Sequence, residues 1–197
     1  MSVDAISTIK EVPMVLVEIT PEEYGVTLEI AYATANNFTG APVYARAACF
    51  LHPDAAECLK KAVQYAQELG LRIKVFDAYR PTEAQWKLWN HTPDPGFLAD
   101  PQKGSPHSRG AAVDLTLVDA QGQELDMGTA FDAFTPASHH GAAEISAQAK
   151  ANRLLLLGIM TSAGWDFYRN EWWHYQLFNA RATYPLLSDE EAGTRMM

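Results

Sequence analysis

The sequence lacks a disulfide framework, a basic footprint and any long apolar run. It holds only two cysteines, Cys49 and Cys58, with no second pair to complete a zinc-ribbon spacing. Both read as buried thiols of a protein from a reducing compartment. Lys and Arg total 15 against 24 Asp and Glu, a formal charge of −9. That balance argues against sequence-independent nucleic-acid binding, which needs cations to neutralise phosphates, and leaves room for a local basic spot in a pocket. It also argues against docking on an anionic membrane. The apolar stretch at 12–19 is short and interrupted by Pro13 and Glu18. Neither a secretory signal nor a transmembrane helix is expected, and a cytoplasmic location is the simplest inference, with a periplasmic one compatible. There is no repeat and no Pro/Gly/Ser linker. What is present, 48% hydrophobic and 20% charged residues in a chain of 197, suits one globular domain over 1–197 that buries its core without staples.

The pattern along the chain mixes helices and strands. Residues 12–19 and 28–32 read as extended, and 36–40 are rich in turn formers. A helix is expected over 53–69, with Pro53 at a tolerated first position and Gly70 as its stop. Residues 71–76 alternate as a strand. A second helix starts at Pro81 and carries Trp86 and Trp89, and 91–106 reads as loop. A strand over 111–118 runs into a hairpin turn at Asp119-Ala120-Gln121-Gly122. The helix expected over 144–163 carries a core-facing block of Leu154 to Leu157 with Ile159 and Met160. Aromatic residues at 172–177 favour a strand. No regular βαβ alternation occurs, so the expected fold class is α+β, a central antiparallel sheet flanked by helices.

Reactive side chains concentrate in three short segments. His107 and Asp114 are an odd number of residues apart, so on one straight strand they would face opposite ways. They converge only if the chain bends, which Gly110 permits. Asp114 lies between Val113 and Leu115, where a carboxylate is costly unless paired or metal-bound; the alternative is that it points outward into solvent. Glu171 and His174 likewise need a turn between them to share a site, and the alternative for His174 is a core histidine among aromatics. Two imidazoles and a carboxylate, with a second carboxylate spare, fit a catalytic zinc site with an open position for water. Glu171 could serve as base on that water, which zinc brings to a pKa of about 7. Arg80 could stabilise an oxyanion, or be a structural partner of Asp77. His52, His91, His139 and His140 are read as structural.

The set Asp77-x-Tyr79-Arg80-Pro81, Ser105-x-His107-Ser108-Arg109-Gly110-x-Ala112-x-Asp114 and Glu171-Trp172-Trp173-His174-Tyr175 resembles the VanX-type D-alanyl-D-alanine dipeptidases, zinc peptidases related to the D-Ala-D-Ala carboxypeptidases. Tyr32 to Gly40, Met127-Gly128-x-x-Phe131-Asp132 and Ser138-His139-His140 extend the resemblance over most of the chain. It implies one Zn2+ per chain held by His107, Asp114 and His174, with Glu171 as base and Arg80 stabilising the transition state. It also implies Tyr32, Ser105 and Asp132 as substrate-pocket residues, in a closed pocket for a dipeptide with free termini. Asp132 then suits the substrate ammonium and Ser105 its carboxylate, and Trp172-Trp173 would position Glu171 and His174 and help exclude water. Pro106 departs from members with a small polar residue there and removes one backbone donor. The expected reaction is hydrolysis of D-Ala-D-Ala to two D-alanines, serving glycopeptide resistance or D-alanine salvage. A peptidoglycan carboxypeptidase or endopeptidase on the same zinc site, and a non-hydrolytic zinc-stabilised binding module, are the other readings. The sequence is compatible with a homo-oligomer.

Overall fold

A computed structural model describes residues 16–197. The first part of the expected 12–19 strand therefore lies outside the described residues; its end forms β1 (Val17–Glu18), antiparallel to β3 (Phe50–Leu51). The main sheet has five strands. In spatial order these are β2 (Thr27–Leu28), β4 (Arg72–Asp77), β5 (Ala112–Val118), β7 (His174–Gln176) and β6 (Asp166–Phe167). Pairing from β4 to β6 is antiparallel throughout, as expected, while the short edge strand β2 runs parallel to β4. The expected 28–32 strand is shorter than the pattern suggested. Past Glu29 the chain leaves the sheet, and Ala31–Ala33 wind into a 3-10 turn that buries Tyr32.

Two long helices cover the apolar side. Helix α2 (Pro53–Glu68) follows a minimal helix α1 (Pro21–Tyr24), and it buries Ala55, Ala56, Leu59, Ala62, Val63 and Ala66. That stripe repeats at three- and four-residue steps and faces the core. The next helix, α3 (Thr82–His91), begins just after Pro81. Helix α4 (Ala147–Ser162) starts three residues later than expected, because the Ser146 hydroxyl caps it by accepting from the Ala149 N–H. Its leucine block does not all face inward. Leu156, Ile159 and Met160 are buried, but Leu154 is 68% exposed; four consecutive helical residues span every face, so they cannot share one. Cys49 is buried and Cys58 only half-buried, and both are free.

The sheet's second side carries the polar groups. Along β5, Val113, Leu115 and Leu117 join the apolar core, which leaves Asp114 and Thr116 on the opposite face. Asp114 is paired with Asp77 on β4 and with His174 on β7, so the three form a row across neighbouring strands. Regular alternation would put Asp77 on the same face as Val75, in the core. A bulge between Val75 and Asp77 inserts one residue and turns Asp77 to the Asp114 face. The bend expected before β5 is also present. His107–Arg109 form a 3-10 turn closed by Gly110 at φ 62°.

A Cβ at Gly110 would lie 2.8 Å from Leu16 Cδ2 and 2.9 Å from the His52 backbone nitrogen. Strain and clash therefore add, and Gly110→Ala should lose at least about 2 kcal/mol of stability in a denaturant titration. An unchanged midpoint would show that the turn is not rigidly held.

Candidate active site

All eight residues singled out in the sequence border one cavity of about 240 Å3: Tyr32, Arg80, Ser105, His107, Asp114, Asp132, Glu171 and His174. Asp114 and His174 of the strand row form its floor, and loops form its walls. His107 reaches it from the 3-10 turn. Glu171 reaches it from the turn between β6 and β7, where the Glu171 N–H donates to the Tyr168 carbonyl at 3.3 Å and the His174 N–H donates to the Glu171 carbonyl at 3.4 Å. The expected turn between Glu171 and His174 is thus real, and the 172–177 strand is shortened to β7 because of it.

The two histidines have their tautomers set by partners. His107 Nδ1 donates to the Ala78 carbonyl at 2.7 Å, which leaves Nε2 as a bare acceptor. His174 Nε2 donates to Gln176 Oε1 at 3.2 Å, which leaves Nδ1 bare. These two nitrogens face each other at 3.1 Å, with Asp114 Oδ1 at 3.3 Å from one and 3.0 Å from the other. Three lone-pair donors so close repel unless a cation lies among them. Their separations match what an ion with bonds of about 2.0–2.2 Å needs. His107, Asp114 and His174 are the group among the described residues that could hold a metal ion. His52 instead caps α2 through the Asp54 N–H, and His91, His139 and His140 pack against aromatic rings.

Arg80 meets its structural reading and borders the cavity as well. Its Nε and Nη2 each lie 2.9 Å from Asp77 Oδ2, and its Nη1 donates to Gln85 Oε1 at 3.0 Å. Nη2 is also 3.6 Å from Asp114 Oδ2, and the guanidinium stands 5.0 Å from the Tyr32 ring centre. The pair with Asp77 is therefore structural, yet it is buried and aims Arg80 into the cavity rather than out to solvent. The Tyr44 hydroxyl completes the arrangement by donating to Asp77 Oδ1 at 2.8 Å.

The carboxyl groups differ in charge preference. Burial would raise Asp114, but in the metal-free protein a proton carried by His107, and then by His174, holds it well below the usual carboxylate range, in the place a metal cation would take. Burial pushes Glu171 well above that range, helped by Asp114 and Asp132 and opposed by Arg80. Glu171 Oε2 lies 3.8 Å from His174 Nδ1. Asp132 is pushed up to about 8, by burial first and Asp114 next, although Tyr32 donates to it at 2.9 Å. Asp132 also adopts a left-handed backbone, φ 57°. Its loop is held by Arg153, whose guanidinium donates to the carbonyls of Met127, Ala137 and His139. Ser105 Oγ accepts from the His107 N–H, so its own proton is available to the cavity.

The segment read only as loop turns out to cap the cavity. Pro95, Phe97, Leu98 and Ala99 line it. The Gly96 carbonyl accepts from Tyr168 Oη and Asn170 Nδ2, and Gln85 Nε2 donates to the Ala99 carbonyl. Trp173 also lines the cavity, while Trp172 sits behind it and donates from Nε1 to Thr129 Oγ1. Gln176 was missed from the sequence although the signal was there, since strand residues two apart share a face with their neighbour. Pro106 opens the 3-10 turn, and its carbonyl accepts from Arg109 and Ala111.

This fold and this site define a peptidase: a family model described as D-ala-D-ala dipeptidase, of peptidase family M15, matches residues 13–190, and the chain belongs to that family. Over 163 residues it is 47% identical to the D-alanyl-D-alanine dipeptidase of Escherichia coli K12, covering 83% of this chain and 84% of that one. Proteins of the same description from Streptomyces coelicolor and Enterococcus faecium are 36% and 35% identical, each over 78% of this chain and 86% and 87% of their own. No helix among the described residues is long and apolar enough to cross a membrane.

Two measurements test this geometry. Gln176→Leu removes the partner that fixes His174, and should weaken metal binding about 10- to 100-fold in a chelator competition titration. In the metal-free protein, Asp132 takes up its proton more readily folded than unfolded, so its burial favours the fold at low pH and opposes it as pH rises from about 4 to about 8. Asp132→Asn should therefore stabilise the metal-free protein at pH 8 by about 1–2 kcal/mol, the full conversion being discounted for a half-buried side chain, and by almost nothing near pH 4. A gain that is equal at both pH values would contradict this account.

Proposed function

We propose that the protein is a zinc-dependent dipeptidase that hydrolyses D-Ala-D-Ala to two D-alanines. The observation that carries this reading is the meeting of a three-donor cluster, a buried carboxyl and a fixed guanidinium in a cavity of only about 240 Å3. That is below the range of roughly 300–1,000 Å3 for sites that take drug-sized ligands, and it suits a dipeptide. The relatives are named for activity on the same substrate, which supports this reading.

His107, Asp114 and His174 would hold the zinc, two nitrogens and one oxygen with a position left over. Zinc bound there would supply Lewis-acid polarisation of the scissile carbonyl and bring a water to a pKa of about 7. Glu171 accepts a proton from the attacking water and returns it to the leaving amine. Its burial favours the protonated form that the second step needs, while Arg80 favours, and a zinc held at the cluster would favour, the ionised form that the first step needs. Arg80 stabilises the negative charge that develops on the carbonyl oxygen. Because Asp77 and Gln85 already hold it, little reorganisation is required when that charge appears. Asp132, oriented by Tyr32, receives the substrate ammonium, whose charge draws the carboxyl back to its ionised form. Ser105 donates its hydroxyl proton to the substrate carboxylate.

The deciding experiment measures D-alanine release from D-Ala-D-Ala beside L-Ala-L-Ala and a pentapeptide ending in D-Ala-D-Ala, with and without a chelator. Chelator-sensitive cleavage of the free D,D-dipeptide alone is expected. Release from the pentapeptide would move the protein to the wall carboxypeptidases, and inertness toward all three would sink the reading. Glu171→Gln should retain stoichiometric zinc and lose about 10²- to 10⁴-fold in kcat. Loss of zinc instead would make Glu171 a ligand rather than a base.

A further inference from the structure

Two guanidinium groups border the cavity, Arg80 and Arg181. Arg80 is committed to Asp77 and Gln85, and its free side belongs to the scissile carbonyl in the reading above. Arg181 lies in the short helix α5 (Ala180–Thr183), which follows β7. Its Nε donates to the Gly104 carbonyl at 3.1 Å. Its two terminal amino groups have no hydrogen-bond partner, and its charge no carboxylate partner, among the described residues. Gly104 is the residue before Ser105, whose hydroxyl opens onto the same cavity. Arg181 is exposed, and this one bond holds its guanidinium at the segment that carries Ser105, with both terminal amino groups free of protein partners among the described residues. Such a planar pair of donors is matched to a carboxylate, which it grips through two parallel hydrogen bonds.

We propose that Arg181, together with Ser105, forms the subsite for the free terminal carboxylate of the substrate. This rests on the dipeptidase reading and deepens it. Apart from Arg181 itself and Arg80, which Asp77 and Gln85 hold, the side chains of the cavity that can carry charge near neutral pH are the carboxyls of Asp114, Asp132 and Glu171 and the two histidines of the donor cluster, none of them an anchor for an anion. A zwitterionic dipeptide needs one negative and one positive anchor on different parts of the wall. Asp132 is fixed by Tyr32, and Arg181 is fixed by Gly104. The ligand class is a small peptide or amino-acid derivative with an unblocked α-carboxylate. Neutralising that carboxylate removes the partner of Arg181 and so costs binding.

The test compares zinc-loaded wild type, Arg181→Gln and Arg181→Lys on D-Ala-D-Ala and on its C-terminal amide, measuring kcat and KM for each. Wild type should prefer the acid by about 10- to 100-fold in kcat/KM, the usual size of a charge-assisted contact. Arg181→Gln should bring the acid-to-amide ratio to within about threefold, through a higher KM for the acid, and Arg181→Lys should keep part of it. If Arg181→Gln slows acid and amide equally, Arg181 is only a strut between α5 and the Gly104 segment, and the proposal fails. It fails also if wild type shows no preference or if the variant keeps it. Wild type that cleaves neither compound overturns the dipeptidase reading itself, a result distinct from the others.

Discussion

Asp77 and Asp114 stand opposite each other on β4 and β5, both out of water. Like charges directly across a sheet are destabilising, and a buried carboxylate without a partner is more so. The rest of the site is built around that conflict. Arg80 reaches both groups, Tyr44 takes the outer oxygen of Asp77, and two imidazoles approach Asp114 from the other side. The result is not a balanced salt bridge. Asp77 is served by hydrogen-bond donors, whereas Asp114 and the two bare nitrogens all offer lone pairs to one point. A hydrophobic core would have been easier to fold. A cation placed among these groups would relieve the repulsion between them.

The division of labour between sheet and loops follows from the same constraint. Groups that must hold fixed separations of about 3 Å sit on strands or on a tight turn locked to them: Asp114, His174 and His107. The groups proposed to meet a substrate sit on loops and short turns between the long elements, and several of these are tied down by polar contacts to backbone carbonyls. Arg153 braces the Asp132 loop, Tyr168 and Asn170 fasten the cap at Gly96, and Gln85 joins Arg80 to the cap at Ala99. Asp132 combines a left-handed backbone with a carboxyl driven toward its neutral form. Both are unfavourable in the fold alone, and that is the usual signature of a side chain kept for a ligand.

Much of this was legible in the residues. The odd spacing of His107 and Asp114 demanded a bend and Gly110 supplied one; the spacing of Glu171 and His174 demanded a turn, which lies between β6 and β7. The hairpin at Asp119 and the Pro53 helix followed from turn and cap chemistry with little tertiary input. What escaped depended on contacts distant in sequence. The bulge at Phe76 is set by pairing with β5, and no local signal marks it. The parallel edge strand β2 is two residues long, too short to show a period. Leu154 looked like core because composition was read without its helical angle. Gln176 was readable in principle, as the same-face neighbour of His174. Arg181 was not, since only the fold brings α5 beside Gly104.

The choice posed by the sequence for Arg80, structural partner of Asp77 or stabiliser of an oxyanion, assumed that one role excludes the other. The geometry removes that assumption. A free arginine would have to lose side-chain freedom each time charge developed on a substrate oxygen, and that ordering would be charged against the rate. Asp77 and Gln85 settle the side chain in advance. They also bring a risk, because a carboxylate that fully neutralised Arg80 would blunt its pull on a developing anion. The bulge limits this by setting Asp77 against one edge of the guanidinium, with Nε and Nη2 engaged there. Nη2 also turns toward Asp114 at a distance too long for a tight pair. With three of its five N–H donors engaged, by Asp77 and by the neutral Gln85, Arg80 is oriented without being spent, and the same logic describes Arg181 on the Gly104 carbonyl.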